Sequence, residues 1–389
     1  MSAPGRLDPG AVADAPELGV DPNRLADLLD RARRDVDSGL LPSCQLAVAR
    51  HGRVVAFETF GDATNETRYV IFSCTKAVVA AAAWLLMGEG RLDPAAKVAD
   101  VIPEFATNGK DVVTIEQVML HTAGFPHAPM APALWNDRDA RVARFADWRL
   151  NWEPGSAFEY HATSAHWVLA ELIERLTGQD YRRFIHDRIA LPLGLPRLRV
   201  GLPLDEQDDI AWLETVGEPT SPDELEAVFG IRELPLSEAS DHALLEFNSP
   251  DARRAGVPGG GGVTRAAELA LFYQALLTNH RNLWDADVLA DATGNVRNHF
   301  PDPWVLARAN RTLGLVVAGD DGNAHMRMNF GRTVSPRAFG HAGAGGQIAW
   351  ADPTTGLSFC YFTNGLDADV LRQARRGLAL SSRAGVLCP

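Results

Sequence analysis

Ser73 and Lys76 stand three residues apart in Ser73-Cys74-Thr75-Lys76. One turn of helix would bring that hydroxyl and that amine to the same face. Lysine is scarce here: of 37 basic side chains, only Lys76, Lys97 and Lys110 are lysines. Residues 76–87, KAVVAAAAWLLM, are rich in alanine and leucine and hold no glycine or proline, which predicts a helix. Ser73 would sit at its N-terminal end, where the helix dipole favours negative charge. A neutral amine at position 76 could then take the serine proton and create a nucleophile. The four residues also fit a helix-start serine followed by a surface lysine, so the rest of the chain has to decide.

Other chemistries find less support. Cys74 adjoins Ser73, but no partner for a thiolate nucleophile is identifiable. Cys44, Cys74, Cys360 and Cys388 are scattered without metal-ligand spacing and read as buried free thiols in a reducing compartment. No two histidines lie at i, i+4 beside a glutamate, as a zinc helix would need. Gly259–Gly262 is followed by no lysine, which removes a phosphate loop. The G-x-S-x-G elbow of α/β-hydrolases is absent. No cofactor or metal is implied.

The elements that must position Ser73 are legible around it. Residues 22–37 carry an apolar stripe, Leu25, Leu28, Leu29, Ala32 and Val36, between an Asp21-Pro22 start and a Gly39 stop, so they form an amphipathic helix. Cys44–Arg50 and Val54–Phe60 read as strands joined by a hairpin at His51-Gly52. Tyr69–Phe72 is a short extended piece leading into the Ser73 helix. Helices follow over Thr114–Leu120, Ser164–Leu176 and Tyr181–Ile189. Residues 201–255 are acidic, proline-dotted and irregular. Thr264 caps a helix carrying Leu269, Phe272, Leu276 and Leu277. Three extended runs, Arg337–His341, Gln347–Asp352 and Ser358–Thr363, precede Asn364-Gly365 and a last helix.

Strands at both ends and helices between them imply an α+β fold. One antiparallel sheet is built from both termini and flanked by terminal helices. The expected division is a discontinuous sheet domain, 20–72 and 256–389, and a mostly helical inserted domain, 73–255. The 389 residues carry a net charge of −13, which disfavours nucleic acid and anionic membranes as partners. No apolar run is long enough to span a membrane. The N-terminal 20 residues lack the apolar core of a secretory signal, so the expected location is cytoplasmic. The oligomeric state is not legible.

Two further segments complete a pattern: Glu153–Ala162, a turn leading to Tyr160-His161-Ala162 before a helix, and Phe339–Gly346, a strand ending in His341-Ala342-Gly343 and other small residues. With Ser-x-x-Lys in front of them, the chain resembles the serine β-lactamase and penicillin-binding-protein-like hydrolases. It is most similar to class C β-lactamase-like esterases, the family VIII carboxylesterases. Leu120–Gly124, Val98–Phe105 and Gly259–Leu269 also look like the family, and the resemblance runs from about residue 22 to 380.

The resemblance implies acyl transfer through a covalent serine ester. Ser73 would be the nucleophile, and Lys76 and Tyr160 would share the base role. An amine with an ordinary pKa of about 10.4 is a poor base at neutral pH. Either Lys76 gives up its proton more readily, or Tyr160 acts as a phenolate beside it. The backbone N–H groups of Ser73 and Ala344 would form the oxyanion hole. His341 would either hydrogen-bond near the substrate or tune the Tyr160–Lys76 pair, or it is a histidine without a chemical role. Phe125 and Trp350 adjoin motif segments and are the candidate substrate-binding residues, with core packing as the alternative.

Two departures from the family pattern matter. Ala162 stands where the lactamases have an asparagine that holds the substrate amide, and His341 stands where they have a lysine for the substrate carboxylate. Both weaken a β-lactamase or D-Ala-D-Ala peptidase reading. The expected activity is hydrolysis of small or medium esters. A lactamase, amidase or transacylase on the same scaffold is the rival enzyme, and a non-catalytic ligand-binding protein is the rival of another class.

Overall fold

Side chains of a strand alternate between the two faces of its sheet. Cys44, Leu46 and Val48 bury into one apolar cluster, and Ala47 and Ala49 into another. A sheet covered on both sides follows. The computed structural model describes residues 12–233, 241–303, 307–327 and 329–388. Among these the central sheet has six strands: β1 (Ser43–Arg50), β2 (Arg53–Gly61), β3 (Val316–Val317), β4 (Phe339–Gly340), β5 (Ile348–Asp352) and β6 (Leu357–Thr363). Their order is β2-β1-β6-β5-β4-β3, and every neighbour is antiparallel. Strand β1 is buried along almost its whole length, whereas β2 alternates as an edge strand does. His51 (φ 51°) and Gly52 (φ 78°) join them in the doubly left-handed turn that suits a two-residue hairpin.

Helices α1 (Pro22–Asp37), α4 (Ala266–Thr278) and α5 (Val370–Ala384) pack against this sheet, while α2 (Thr75–Gly88) and α3 (Ser164–Thr177) pack against each other. Asp21 caps α1 by accepting from the N–H groups of Asn23 and Arg24. Helices α1 and α5 cover the face made by Leu46, Val48, Trp350 and Phe359. The other face meets Leu269, Ala270 and Tyr273 of α4. Helix α2 is buried on all sides from Thr75 to Leu86, which its alanines permit. A Cβ on Gly314 would come within 2.3 Å of the Ala80 Cβ, so chain and helix pack there at backbone contact.

The structure differs from the sequence reading at several elements. Thr264 does not cap α4: it pairs with Tyr69 in a small sheet, and Arg265 precedes the helix. The helix at Tyr181 ends at Ile185 and passes into a π turn, His186–Ala190. Gly365–Asp367 forms a parallel strand with Glu214–Val216 before α5 begins. Residues 201–255 are less irregular than expected, since Pro222–Phe229 is a helix capped reciprocally by Ser221 and Glu224. Part of that segment, 234–240, lies outside the described residues. No helix among the described residues is long and apolar enough to cross a membrane.

Candidate active site

Ser73 lies in a 3-10 turn, Phe72–Cys74, between the strand Tyr69–Val70 and helix α2. Phe72 takes φ 42°, uncommon for a bulky residue, and the chain turns there. From Ile71 to Lys76 only Ser73 is partly exposed, so its hydroxyl is the reachable group. The Lys76 Nζ stands 3.1 Å from Ser73 Oγ and donates to the carbonyls of Ala162 at 2.7 Å and Gly259 at 2.6 Å. Carbonyl oxygens only accept. Two N–H bonds are therefore committed, and the remaining direction of the nitrogen, a third N–H or a lone pair, faces Ser73. Gly259 must be glycine for this approach: a Cβ would lie 2.8 Å from the Ala162 oxygen and 3.4 Å from Nζ.

Tyr160 precedes α3 and brings its ring to the same amine, 4.9 Å from Nζ to the centroid. The rings of His121 and His341 lie 5.0 Å and 5.9 Å from it. The His341 Nδ1 is 2.7 Å from the Ala342 carbonyl, so Nδ1 carries the hydrogen and Nε2 the lone pair. Burial, reinforced by the charges of Arg311 and Lys76, holds His341 well below the usual histidine range and hence neutral. His161 is treated alike: burial pushes it down to about 3, Phe125 N–H donates to its Nε2, and Nδ1 donates to the Glu159 carbonyl. Burial also holds His121 and His166 far below the usual range.

Segment 343–345 runs along Ile71 and Phe72. A Cβ on Gly343 would meet the Ile71 carbonyl oxygen at 2.4 Å, and one on Gly345 would sit 3.6 Å from Phe72 Cε2. Ser73 lies in the first turn of a 3-10 helix, where an N–H has no helical acceptor, and Ala344 opens a tight turn in which Gly345 takes φ 70°. A cavity of about 290 Å³, lined by Met130, Trp135, Thr163, His242, Glu246 and Phe247 among others, reaches the nucleophile turn through Phe247. Phe247 meets Phe72 edge-on with ring centroids 5.5 Å apart. A larger hollow around Arg182 and Arg199, about 430 Å³, shares no lining residue with this one.

Ser73, Lys76, Tyr160, His341 and the Ala344 segment thus converge. Phe125 and Trp350 do not join them as ligand contacts. Phe125 is fully buried against Phe105 and Trp148, and its carbonyl accepts from Ser164 Oγ. Trp350 points away because β5 alternates: its ring packs in the cluster under α1 and α5, and Nε1 donates to Ser381 Oγ at 3.1 Å. Cys74 is fully buried, and burial pushes its thiol up, which removes it as a nucleophile.

A family model described as Beta-lactamase matches residues 28–383. The chain belongs to the beta-lactamase family. It is 27% identical over 319 residues to "Esterase/beta-lactamase LipL" of Mycobacterium tuberculosis, covering 76% of this chain and 69% of that one. A penicillin-binding protein homolog from Caulobacter crescentus superposes with a TM-score of 0.76 at 30% identity, over 95% of this chain and 98% of the other. A family VIII carboxylesterase shares the fold at a TM-score of 0.72 and 24% identity, over 94% and 99% of the two chains. This family member is a serine hydrolase of the β-lactamase fold.

Sequence reasoning missed Arg311, whose guanidinium carbon is 5.0 Å from the Tyr160 ring centroid. It belongs to no motif. Its one signal is a basic residue heading the apolar run Thr312–Val317. The carbonyls of Ala162 and Gly259 were equally invisible, because backbone acceptors leave no mark in residue types.

Proposed function

We propose that this protein is a serine carboxylesterase that cleaves small or medium esters through an acyl-Ser73 intermediate. The observation that carries this reading is the Lys76 nitrogen, fixed by two carbonyls so that its remaining direction meets Ser73 Oγ. In the forward step the Ser73 proton passes to the Lys76–Tyr160 unit while Oγ bonds to the ester carbonyl carbon. The oxyanion rests on the N–H groups of Ser73 and Ala344, each such donor being worth about 2.7–4 kcal/mol in the transition state. Collapse breaks the ester C–O bond, and the departing alkoxide takes the proton. Water then repeats the sequence on the acyl-serine, releasing the acid and restoring the hydroxyl.

The ester preference follows from what flanks the nucleophile. Ala162 offers a methyl and a carbonyl already engaged by Lys76, so no side-chain amide holds a substrate amide. His341 is neutral and offers no cation to a substrate carboxylate. The cavity by Phe247, about 290 Å³, is at the small end for ligand sites and suits a short apolar chain. The four free, buried cysteines suit a reducing cytoplasm.

Turnover of p-nitrophenyl butyrate and of a chromogenic cephalosporin, measured side by side, tests the reading. Ester turnover should exceed lactam turnover by orders of magnitude. Strong lactam turnover with negligible ester turnover would overturn it.

A further inference from the structure

Arg311 is 2% exposed, and its Nε and Nη1 have no hydrogen-bond partner among the described residues. A guanidinium stays charged in proteins, and a buried charge without hydrogen-bonded partners is costly to keep. Its position is nonetheless built. Arg311 and Asn298 exchange backbone hydrogen bonds at 3.1 Å, and Asn298 Nδ2 donates to the carbonyl of Leu120, next to His121. The guanidinium carbon lies 5.3 Å from the Phe158 ring centroid and 5.0 Å from that of Tyr160.

The charged and titratable groups around Tyr160 can be named from each packed element. Lys76 comes from α2, His121 from the turn after Ile115–Met119, and His341 from the end of β4. His161 and His166 stand 5.7 Å and 5.9 Å from His121. Asp302 lies near enough to offset part of the Arg311 charge. All four histidines are held neutral by burial, which leaves the Lys76 amine and the Arg311 guanidinium as the basic groups at the ring. A motif lysine, which the family resemblance places at 341, is absent.

We propose that Arg311 is a positioning residue that supplies this missing positive charge, favouring the phenolate of Tyr160 from outside the three motif segments. The proposal rests on the assignment of Tyr160 to the proton path. Arg311 is too buried to meet substrate, so it acts through the ring. An ionised phenol spreads negative charge into its ring, and a cation this close stabilises that form over the neutral one.

The chain suits a direct test. It holds five tyrosines, few enough for each signal to be resolved. Carbon-13 labelled tyrosine is titrated by NMR in the parent, in Arg311→Met and in Tyr160→Phe, the last to assign the signal. Arg311→Met should raise the Tyr160 midpoint by about one pH unit or more. Its kcat/KM for p-nitrophenyl butyrate should fall at least tenfold at pH 7 and recover at higher pH, as phenolate refills. An unmoved midpoint in a folded variant, or a loss uniform across pH, would overturn the proposal. Should Arg311→Met not fold, Asp302→Asn carries the test: it should lower the midpoint, and no change would refute the charge argument. Ester turnover with an unmoved midpoint sinks this proposal alone. A shifted midpoint without ester turnover in the parent sinks the esterase reading alone.

Discussion

His166→Phe should diverge from the parent protein as the pH falls. His166 is 1% exposed, and neither ring nitrogen has a hydrogen-bond partner among the described residues. Burial, with the nearby charge of Lys76, holds it well below the usual histidine range. The unfolded chain binds a proton at this residue below about pH 6.5, and the folded chain does not. Stability therefore falls with pH from about 6.5 downward, by about 1.4 kcal/mol per pH unit for one such group. Between pH 8 and pH 5 this amounts to about 2 kcal/mol for His166 alone. Phenylalanine binds no proton in either state, so the variant escapes that loss. Packing changes and the removal of two unpartnered nitrogens set the difference at pH 8, whatever its sign. Glu174 and Glu268, raised by burial, act in the opposite direction with pH but are common to both proteins and cancel. Urea unfolding of both proteins at pH 8 and pH 5 reads the change. A variant-minus-parent difference that stays constant to within about 0.5 kcal/mol would refute the claim that the site keeps this imidazole neutral.

Gly343→Ala places a methyl 2.4 Å from the Ile71 carbonyl oxygen and must push the Ala344 segment away from Ser73. A loss of about 10²–10³ in kcat with KM nearly unchanged is expected on steady-state kinetics, as for removal of one oxyanion donor. Phe247→Ala deepens the cavity beside Phe72 and should move the optimum of a p-nitrophenyl ester series toward longer acyl chains. Cys74→Ala should leave kcat within about threefold, and maleimide should not inactivate the native protein, because the thiol is buried and raised.

Elements whose signals are local were legible before the structure. Asp21, Pro22 and an apolar stripe mark α1, and His51-Gly52 between alternating runs marks the hairpin. Elements defined by a distant partner were not. Val316–Val317 is two residues long and exists as a strand because β4 pairs with it. Gly365–Asp367 is a strand only through Glu214–Val216. Thr264 carries the residue type of a cap, yet pairing with Tyr69 claims it for a strand. Within the site, Ser73, Lys76 and Tyr160 were legible as residue types in order, whereas Phe125 and Trp350 were chosen by nearness to motifs. Nearness in sequence does not fix side-chain direction, and period-two alternation sends Trp350 to the far face. Lysine scarcity alone also misleads. Lys110 is as buried as Lys76, yet its Nζ donates to the carbonyls of Thr107 and Trp148 and to no nucleophile of the motif segments.

The central claim is that Lys76 and Tyr160 make Ser73 a nucleophile. Intact-mass spectrometry after a fluorophosphonate probe, with peptide mapping of the adduct, measures that most directly. One adduct per chain, carried by Ser73, absent in Ser73→Ala and slowed by at least a hundredfold in Lys76→Met and Tyr160→Phe, is the predicted result. A parent protein that stays unlabelled, or is labelled elsewhere, would contradict it.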